Sequence, residues 1–358
     1  MKSKVFFLPV KESEGPQAVV RNVKILTEKS DCLDFISKGD SVALKLHFGE
    51  EGNTGFVKPE SVKVISDFLL QRGASPFLSE TNTLYKGQRT NSRDHLVLAA
   101  RHGFSRETMG VEVVIPDDSQ KENAAGVQID QKFIKKAMIA RVFVDADALV
   151  GINHFKGHMM TGFGGALKNL GMGCATREGK LMQHSDVSPV VYERKCTGCG
   201  ECEKICPASA IAIVNHKSVI NGLQCIGCAS CIAACPFSAI DVNWESGGKL
   251  MQEKMIEYAS AVLKGKKGRG AFFNFAVKIT KECDCLAKDD PRVAPDIGIL
   301  ASRDPVSIDK ASFDLVQKAC GKDIFREVHP NRDAKRQLEY AWELGLGQLD
   351  YELIELSQ

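Results

Sequence analysis

The chain has 358 residues, of which 44% are hydrophobic and 26% are charged, and its formal net charge at pH 7 is +2. This length can bury a full core and hold two domains, and the composition is ordinary for a soluble globular protein. The near-neutral charge gives no indication of a nucleic-acid partner. No apolar stretch approaches a membrane span and the N-terminus lacks the features of a signal peptide, so we expect a cytoplasmic protein with no membrane partner.

Before residue 190, predicted strands alternate with predicted helices. In chain order, the pattern predicts a strand over residues 5–9, a helix over 18–26, a strand over 41–47, a helix from 59 to about 71, a strand over 76–79, a helix over 93–100, and strands over 111–115, 141–144 and 148–152. Pro59 opens the second helix and Gly103 follows the third, as is typical of helix ends. The alternation predicts an α/β domain with a largely parallel sheet.

A polar, glycine-rich turn follows the strand over residues 148–152. It carries His154, Lys156 and His158, and its second half predicts the start of a helix that bears Lys168. Open α/β sheets bind ligands at the carboxyl ends of their strands, and free N–H groups at a helix start attract phosphate or carboxylate groups. We therefore predict an anion-accepting pocket with these four residues as catalytic candidates. The alternative is a tight turn whose glycines serve only its geometry.

Two other polar segments directly follow predicted strands. Lys45 and His47 stand at the end of the second strand, and Glu80 and Asn82 follow the third. Each segment alone is typical of a solvated loop. In a parallel sheet both would lie along the same edge as the predicted pocket.

Eight of the thirteen cysteines fall in two consecutive runs, each with the pattern C-x-x-C-x-x-C-x-x-x-C-P. This is the ligand spacing of bacterial ferredoxins with two 4Fe-4S clusters, in which the fourth cysteine of each run ligates the other cluster. The spacing therefore predicts two sites with crossed ligation. Their ligands are Cys196, Cys199, Cys202 and Cys235 at the first cluster, and Cys225, Cys228, Cys231 and Cys206 at the second.

Zinc sites and disulfides are the alternatives for so many cysteines. A structural zinc site favours two ligand pairs separated by a longer spacer, and a disulfide framework is typical of short secreted chains. The two runs also form an internal repeat, because residues 192–215 align on residues 221–244 with a constant offset of 29. Each half predicts a short strand, a cluster loop, a helix and a strand, so the halves should pack as a pseudo-two-fold pair.

The α/β pattern resumes after the cysteine runs. It predicts a helix over residues 250–263, strands over 271–279 and 297–301, helices over 306–319 and 332–344, and a last strand over 351–356. We expect one α/β domain, discontinuous in sequence, formed by residues 1–189 and 246–358. An α+β ferredoxin-like module over residues 190–245 is inserted in it. Two separate α/β lobes are the alternative.

The remaining motifs bear on additional cofactors. Cys283 and Cys285 form a C-x-C pair, which is either an additional metal or redox element or two thiols packed beneath a cluster. No G-x-G-x-x-G motif opens a helix after the first strand, and no Walker A motif is present, so a dinucleotide or P-loop site is not supported. A flavin or another second cofactor stays open, because flavin sites often lack short signatures.

The whole chain resembles a prokaryotic family of uncharacterised iron–sulfur proteins, in which an α/β domain of unknown function carries a two-cluster ferredoxin module. The resemblance rests on the polar turn over residues 154–169, the two cysteine runs and the segment over residues 296–309. It covers most of the chain. It implies the inserted module and names no substrate.

Two functions fit this sequence. The first is an oxidoreductase or reductive-activation enzyme, in which the two 4Fe-4S clusters feed electrons to a site on the α/β domain. The second is a non-enzymatic electron carrier or scaffold whose α/β domain docks a partner protein. The charges of the module nearly balance, unlike the acidic surface of a free carrier ferredoxin, which favours the first function. The expected partner is a redox protein or a small-molecule substrate.

Overall fold

The computed structural model describes residues 2–184, 189–225, 227–242, 249–266 and 268–357, so residues 226 and 243–245 of the predicted module lie outside the described residues. The strands are β1 Ser3–Pro9, β2 Ser41–Lys45, β3 Ser75–Ser79, β4 Val113–Val114, β5 Ala124–Gln128, β6 Lys136–Ala140, β7 Ala148–His154, β8 Lys156–His158, β9 Gly162–Gly164, β10 Val190–Val191, β11 Ile211–Val214, β12 Lys217–Ile220, β13 Ile240–Asp241, β14 Gly270–Ala276, β15 Gly298–Ser302 and β16 Tyr351–Glu355. The helices are α1 Gly15–Lys29, α2 Pro59–Gln71, α3 Ser92–Arg101, α4 Arg106–Met109, α5 Arg141–Asp145, α6 Ala166–Gly171, α7 Arg177–His184, α8 Glu201–Lys204, α9 Ser230–Ala234, α10 Lys249–Lys264, α11 Pro305–Cys320, α12 Ile324–Val328 and α13 Arg336–Glu343.

An eight-stranded sheet with the order β16-β1-β15-β14-β7-β2-β3-β4 forms the centre of the fold. Five of its seven pairings are parallel, and the two that β15 makes are antiparallel. The predicted α/β fold with a largely parallel sheet is confirmed. Strands from both sides of the cysteine runs join this sheet, since β7 pairs directly with β14.

The two central strands, β7 and β14, are buried at every residue, because both faces of the sheet are covered. Leu149 and Phe272 point into an apolar cluster on one face, which also contains residues of α6, α10 and α11. The next residues along the two strands, Val150 and Phe273, point into the cluster on the other face, with residues of α1 and α2. The continuous apolar runs of these strands are thus explained by two-sided burial.

Several elements differ from the prediction. The segment predicted as a strand over residues 141–144 is the short helix α5, with Phe143 as its buried side chain. A short apolar run does not by itself distinguish a strand from one helical turn. The β5–β6 and β8–β9 hairpins and helix α7 were not predicted from the sequence.

The described part of the cysteine segment, residues 189–225 and 227–242, forms small elements of its own. Strand β10 pairs with β13 and β11 pairs with β12. The short helices α8 and α9 contain the third cysteine of each run, Cys202 and Cys231, so they begin before the prolines and not after them. A third apolar cluster lies here and includes Cys202, Cys231 and Cys235.

No helix in the described part of the chain has both the length and the apolar character that a membrane span needs.

Candidate functional site

The two cysteine loops have the same backbone conformation at equivalent positions. Left-handed φ values occur at Gly198 and Gly227 (69° and 70°) and at Ser209 and Ser238 (49° and 48°). The two members of each pair are separated by the offset of 29 seen in the sequence. Serine rarely adopts such φ values, so their recurrence indicates that the same loop is built twice.

Two cavities lie in this segment, and each is lined by cysteines from both runs. Cys196, Cys199, Cys202 and Cys235 line one cavity. Cys206, Cys225, Cys228 and Cys231 line the other. These are the two sets of four that the spacing assigns to the two clusters. All eight cysteines are free of disulfide bonds.

Backbone N–H groups are directed at the sulfur atom of the last cysteine of each run. The N–H of Ala210 donates to Cys206 Sγ at 3.3 Å, and the N–H of Ala239 donates to Cys235 Sγ at 3.2 Å. Donors of this kind stabilise cysteine thiolates and tune the potential of a cluster that they hold. Four thiols at each cavity together with these donors fit a 4Fe-4S cluster at each position.

A larger cavity of about 420 Å³, the carboxyl-edge cavity, opens at the carboxyl ends of β2, β3 and β7. All four predicted catalytic candidates line it, namely His154, Lys156, His158 and Lys168, and so do Cys283 and Cys285. His47 and Glu80, from the polar segments after β2 and β3, line it as well. The position is typical of ligand sites in α/β sheets, and the volume is that of small-molecule sites.

Two of the catalytic candidates form a buried charge cluster with Asp284. His154 Nδ1 lies 2.8 Å and Lys156 Nζ lies 3.1 Å from the Asp284 carboxylate. Burial alone would raise the pKa of Asp284, but His154 and Lys156 outweigh it and hold the pKa well below its usual range. These two side chains therefore already have an anionic partner within the protein.

His158 is the third catalytic candidate and is neutral in this environment. Burial and the nearby Lys168 lower its pKa well below the usual range. Its Nδ1 accepts the backbone N–H groups of Met160 and Thr161 at 3.2 and 3.3 Å. Because Nδ1 is an acceptor, Nε2 carries the proton. His158 can thus act as a neutral hydrogen-bond donor and not as a cation.

Lys168 is the cation whose partners in the described structure are sulfur atoms. Its ammonium nitrogen lies 3.3 Å from Cys283 Sγ and 3.8 Å from Cys285 Sγ, and no described carboxylate forms an ion pair with it. Burial, together with the charge of Lys156, lowers the pKa of Lys168 to about 7. The two cysteines are joined by a disulfide bond, which favours the redox interpretation of the C-x-C pair.

Arg89 organises the wall of the carboxyl-edge cavity, and the sequence analysis did not single it out. Its side chain is only 2% exposed and lies 3.0 Å from Glu50 and 3.6 Å from Glu80. Its guanidinium also contacts a ring nitrogen of His47 at 3.1 Å and donates to Tyr85 Oη at 2.5 Å. Arg89 lies in a loop whose sequence has no periodic pattern. The polar residues after β2 and β3 were therefore the only sequence features that indicated this part of the cavity wall.

Asp309 of α11 occupies the helix start that the sequence analysis assigned to an anionic ligand. Its carboxylate accepts the N–H groups of Ala166 at 2.7 Å and Leu167 at 2.9 Å, and Asn274 also donates to it. The expectation of free N–H groups at this helix was therefore wrong, because a carboxylate of the protein already satisfies them. Attraction for an anion in this cavity has to come from side chains, with Lys168 first among them.

Three consecutive residues connect the cysteine segment with the carboxyl-edge cavity. Leu84 packs in the apolar cluster of the cysteine segment and also lines the cavity. The Tyr85 hydroxyl donates to the carbonyl oxygen of Cys285 at 3.0 Å. Lys86 Nζ donates to the carbonyl oxygen of Cys235 at 3.4 Å. A single loop thus contacts a predicted cluster ligand on one side and the disulfide on the other.

Comparisons with known proteins identify a family and give weak structural relatives. The lactate racemase apoprotein from Thermoanaerobacterium thermosaccharolyticum aligns at 14% identity with a TM-score of 0.37, covering 77% of this chain and 51% of that one. A protein from Thermotoga maritima aligns at 14% identity with a TM-score of 0.45, covering 85% of this chain and 58% of that one. The chain thus spans little more than half the length of either, and no curated protein matches it. The family described as "Domain of unknown function (DUF362)" matches residues 42–314, more than half of the chain, which therefore belongs to the DUF362 family.

Proposed function

We propose that this protein is an iron–sulfur electron-transfer protein that works as an oxidoreductase or reductive-activation enzyme. Two 4Fe-4S clusters would each supply one-electron chemistry, held by the two crossed sets of four cysteines. The site of reduction would be the carboxyl-edge cavity. Residues 190–245 would form a ferredoxin-like module inserted in the α/β domain.

The observation that carries this proposal is the grouping of the cysteines into two cavities. Sequence neighbours alone would place each run of four around one cavity. Instead, the fourth cysteine of each run lines the cavity of the other run. This exchange is the ligation pattern of two-cluster ferredoxins, and zinc sites do not require it.

The carboxyl-edge cavity supports the enzyme over a simple carrier. It brings an ammonium group, a disulfide and a neutral imidazole to one cavity beside the cysteine segment. A substrate that is anionic would complement Lys168, because the other described cations considered above already have carboxylate partners. We therefore propose a small anionic substrate that is reduced in this cavity.

An electron carrier that docks a partner is the second candidate, and a surface observation favours it. Large apolar side chains are exposed on the cysteine segment at Tyr192, Ile205, Val214, Val219, Leu223 and Phe237, which make up half of the twelve such residues found in the described chain. Such a concentration is typical of a protein–protein contact. The same surface would serve the enzyme as the docking site of its electron donor.

Metal analysis tests the cluster assignment. Protein purified without oxygen should contain about eight iron and eight sulfide ions per chain. Cys206→Ser should remove about half of the iron, whereas Cys32→Ser, at a buried core cysteine, should retain all of it. Zinc in place of iron, or an iron content unaffected by Cys206→Ser, would contradict the proposal.

Anion binding separates the enzyme from the carrier. Calorimetric titration with acetate and with inorganic phosphate should detect binding to the wild-type protein at pH 6, where Lys168 is charged. Lys168→Met should lose that binding and keep the visible absorbance of the clusters. Absence of binding to the wild-type protein would favour the carrier.

A further inference from the structure

The disulfide between Cys283 and Cys285 contributes little to the stability of the fold. The bond closes a loop of only three residues. In the chain-entropy model such a loop stabilises the folded state by about 1.6 kcal/mol, against about 4.7 kcal/mol for a loop of 100 residues. A stabilising role therefore does not account for a disulfide in the wall of a cavity.

The charged surroundings of the disulfide favour its reduction. The Lys168 ammonium is within contact distance of both sulfur atoms, so it can stabilise a thiolate and pass a proton to it. A pKa of about 7 suits a group that gives up and regains a proton near neutral pH. Catalytic dithiols are typically found beside a cationic group of this kind.

A metal site formed by His47 with the two cysteines is the competing interpretation, since a ring nitrogen of His47 lies within 4.8 Å of both sulfur atoms. Both ring nitrogens of His47, however, already face donors. Nδ1 accepts the N–H of Gly49 at 2.8 Å, and Nε2 stands 3.1 Å from the guanidinium of Arg89. A histidine that ligates a metal normally donates its other N–H to an acceptor. The hydrogen bonds of His47 therefore disfavour the metal site.

One loop contacts both the cysteine segment and the disulfide. Lys86 is hydrogen-bonded to the carbonyl oxygen of Cys235, and Tyr85 is hydrogen-bonded to the carbonyl oxygen of Cys285. Leu84, the preceding residue, packs among the cluster cysteines and lines the cavity. The packing of Leu84 and the hydrogen bond of Tyr85 thus offer electrons from the module a route through the protein towards the C-x-C pair.

We propose that the Cys283–Cys285 disulfide is a redox-active group that the iron–sulfur module reduces to a dithiol within the carboxyl-edge cavity. The inference rests on the proposed function, because the electrons come from the module. The S–S bond breaks as two electrons and two protons are taken up, and two thiols form. A one-electron donor protein of the flavodoxin or ferredoxin class supplies the electrons in two successive transfers. Lys168 donates one proton and is then protonated again by solvent. Solvent also supplies the second proton.

Thiol labelling after reduction by a protein donor tests the proposal. Anaerobic wild-type protein is mixed with photoreduced flavodoxin, which is too large to enter the cavity, and is quenched with acid and N-ethylmaleimide. Peptide mass spectrometry then counts the labels on residues 283–285. The pair should be unlabelled before reduction and doubly labelled after it, with two electrons consumed beyond those that the clusters retain.

Variants distinguish reduction of the disulfide through the iron–sulfur module from its direct chemical reduction. In Cys206→Ser, which breaks the module, flavodoxin should leave the pair unlabelled, whereas the phosphine TCEP should still expose both thiols. Cys32→Ser should behave as the wild type. Lys168→Met should slow the flavodoxin-driven labelling at least tenfold, and an unchanged rate would remove Lys168 as the proton donor.

The remaining outcomes distinguish the two proposals. Labelling of the pair before any reduction would overturn this inference, and so would clusters that lose their visible absorbance on reduction while the pair stays unlabelled. In both cases the electron-transfer function would stand. Protein without iron would overturn the proposed function. Labelling of the thiols that TCEP exposes would then show only that the disulfide can be reduced.

Discussion

Replacing Lys168 with methionine should stabilise the protein at neutral and acidic pH. Methionine fills similar space and removes an ammonium group that burial disfavours. The difference between the ordinary pKa of 10.5 and about 7 sets a ceiling of about 5 kcal/mol, at about 1.4 kcal/mol per pH unit. Lys168 is only partly buried at the cavity wall, so water screens part of this penalty. We expect a gain of about 2 kcal/mol.

The gain has a defined pH dependence. Below pH 7 Lys168 is charged in the native protein although burial disfavours that charge, so the full stability gain of Lys168→Met is present. As the pH rises from 7 to 10.5, the native lysine is neutral while the unfolded chain still binds the proton, and the gain shrinks. Above about pH 10.5 lysine is neutral in both states, and the two proteins should have equal stability.

Thermal unfolding followed by circular dichroism under anaerobic conditions measures this effect. With about 2.1 cal/mol/K of unfolding entropy per residue, a gain of about 2 kcal/mol raises the Tm by about 3 °C. Lys180→Met is the matched control, because burial also lowers the pKa of Lys180 to about 7 but its ammonium donates to Thr81 and Asn82. The control should lower the Tm. A comparable loss in Lys168→Met at pH 6 would refute the reasoning.

Three further substitutions and one control variant test the construction of the cavity. Arg89→Met should cost about 3 kcal/mol, because it leaves two buried carboxylates without their cation, and a lower urea midpoint would report it. Asp284→Asn should cost a similar amount, because it removes the carboxylate that His154 and Lys156 share, and unchanged thermal unfolding would contradict that role of Asp284. Gly165→Ala should lower the free energy of unfolding by about 2 kcal/mol, because the added Cβ would lie 2.3 Å from the Asp309 carboxylate. The control Gly164→Ala makes only ordinary contact, and its stability should be within about 0.5 kcal/mol of wild type. Equal unfolding midpoints of these two alanine variants would contradict the role assigned to Asp309.

The parts of the fold predicted from the sequence are those with a strong periodic signal. The buried strands β7 and β14 and the helix α11, which begins after the N-cap Asp304 at Pro305, were predicted to within a few residues. The prediction of a strand over residues 141–144 was wrong, because this segment has a single buried side chain and therefore no periodic pattern. The β8–β9 hairpin was missed because its glycine-rich sequence indicates a turn and carries no alternation.

The candidate site was predictable only where one segment contains the signal. His154, Lys156, His158 and Lys168 lie within one turn and its following helix, so the sequence alone indicated that they share a cavity. Partners from distant parts of the chain had no such signal. Asp284 and Asp309 reach the site from more than 100 residues away, and only the assembled sheet brings their carboxylates to it. The sequence pattern therefore identifies these four residues and not the two distant carboxylates, Asp284 and Asp309, that contact the same segment.

The helices on either side of the cysteine segment, α7 and α10, pack against each other, and the Tyr258 hydroxyl of α10 contacts Met182 Sδ of α7 at 3.4 Å. When the two ends of a segment are in contact, the segment is a closed loop, and the entropic cost of closing a loop grows only with the logarithm of its length. A long segment at this position therefore adds little to the entropic cost of folding the surrounding chain. Gain or loss of such a segment during evolution would leave the central sheet intact. Relatives that lack the cysteine runs but keep the carboxyl-edge cavity are therefore physically reasonable, and under the proposed function they would receive electrons from a separate protein.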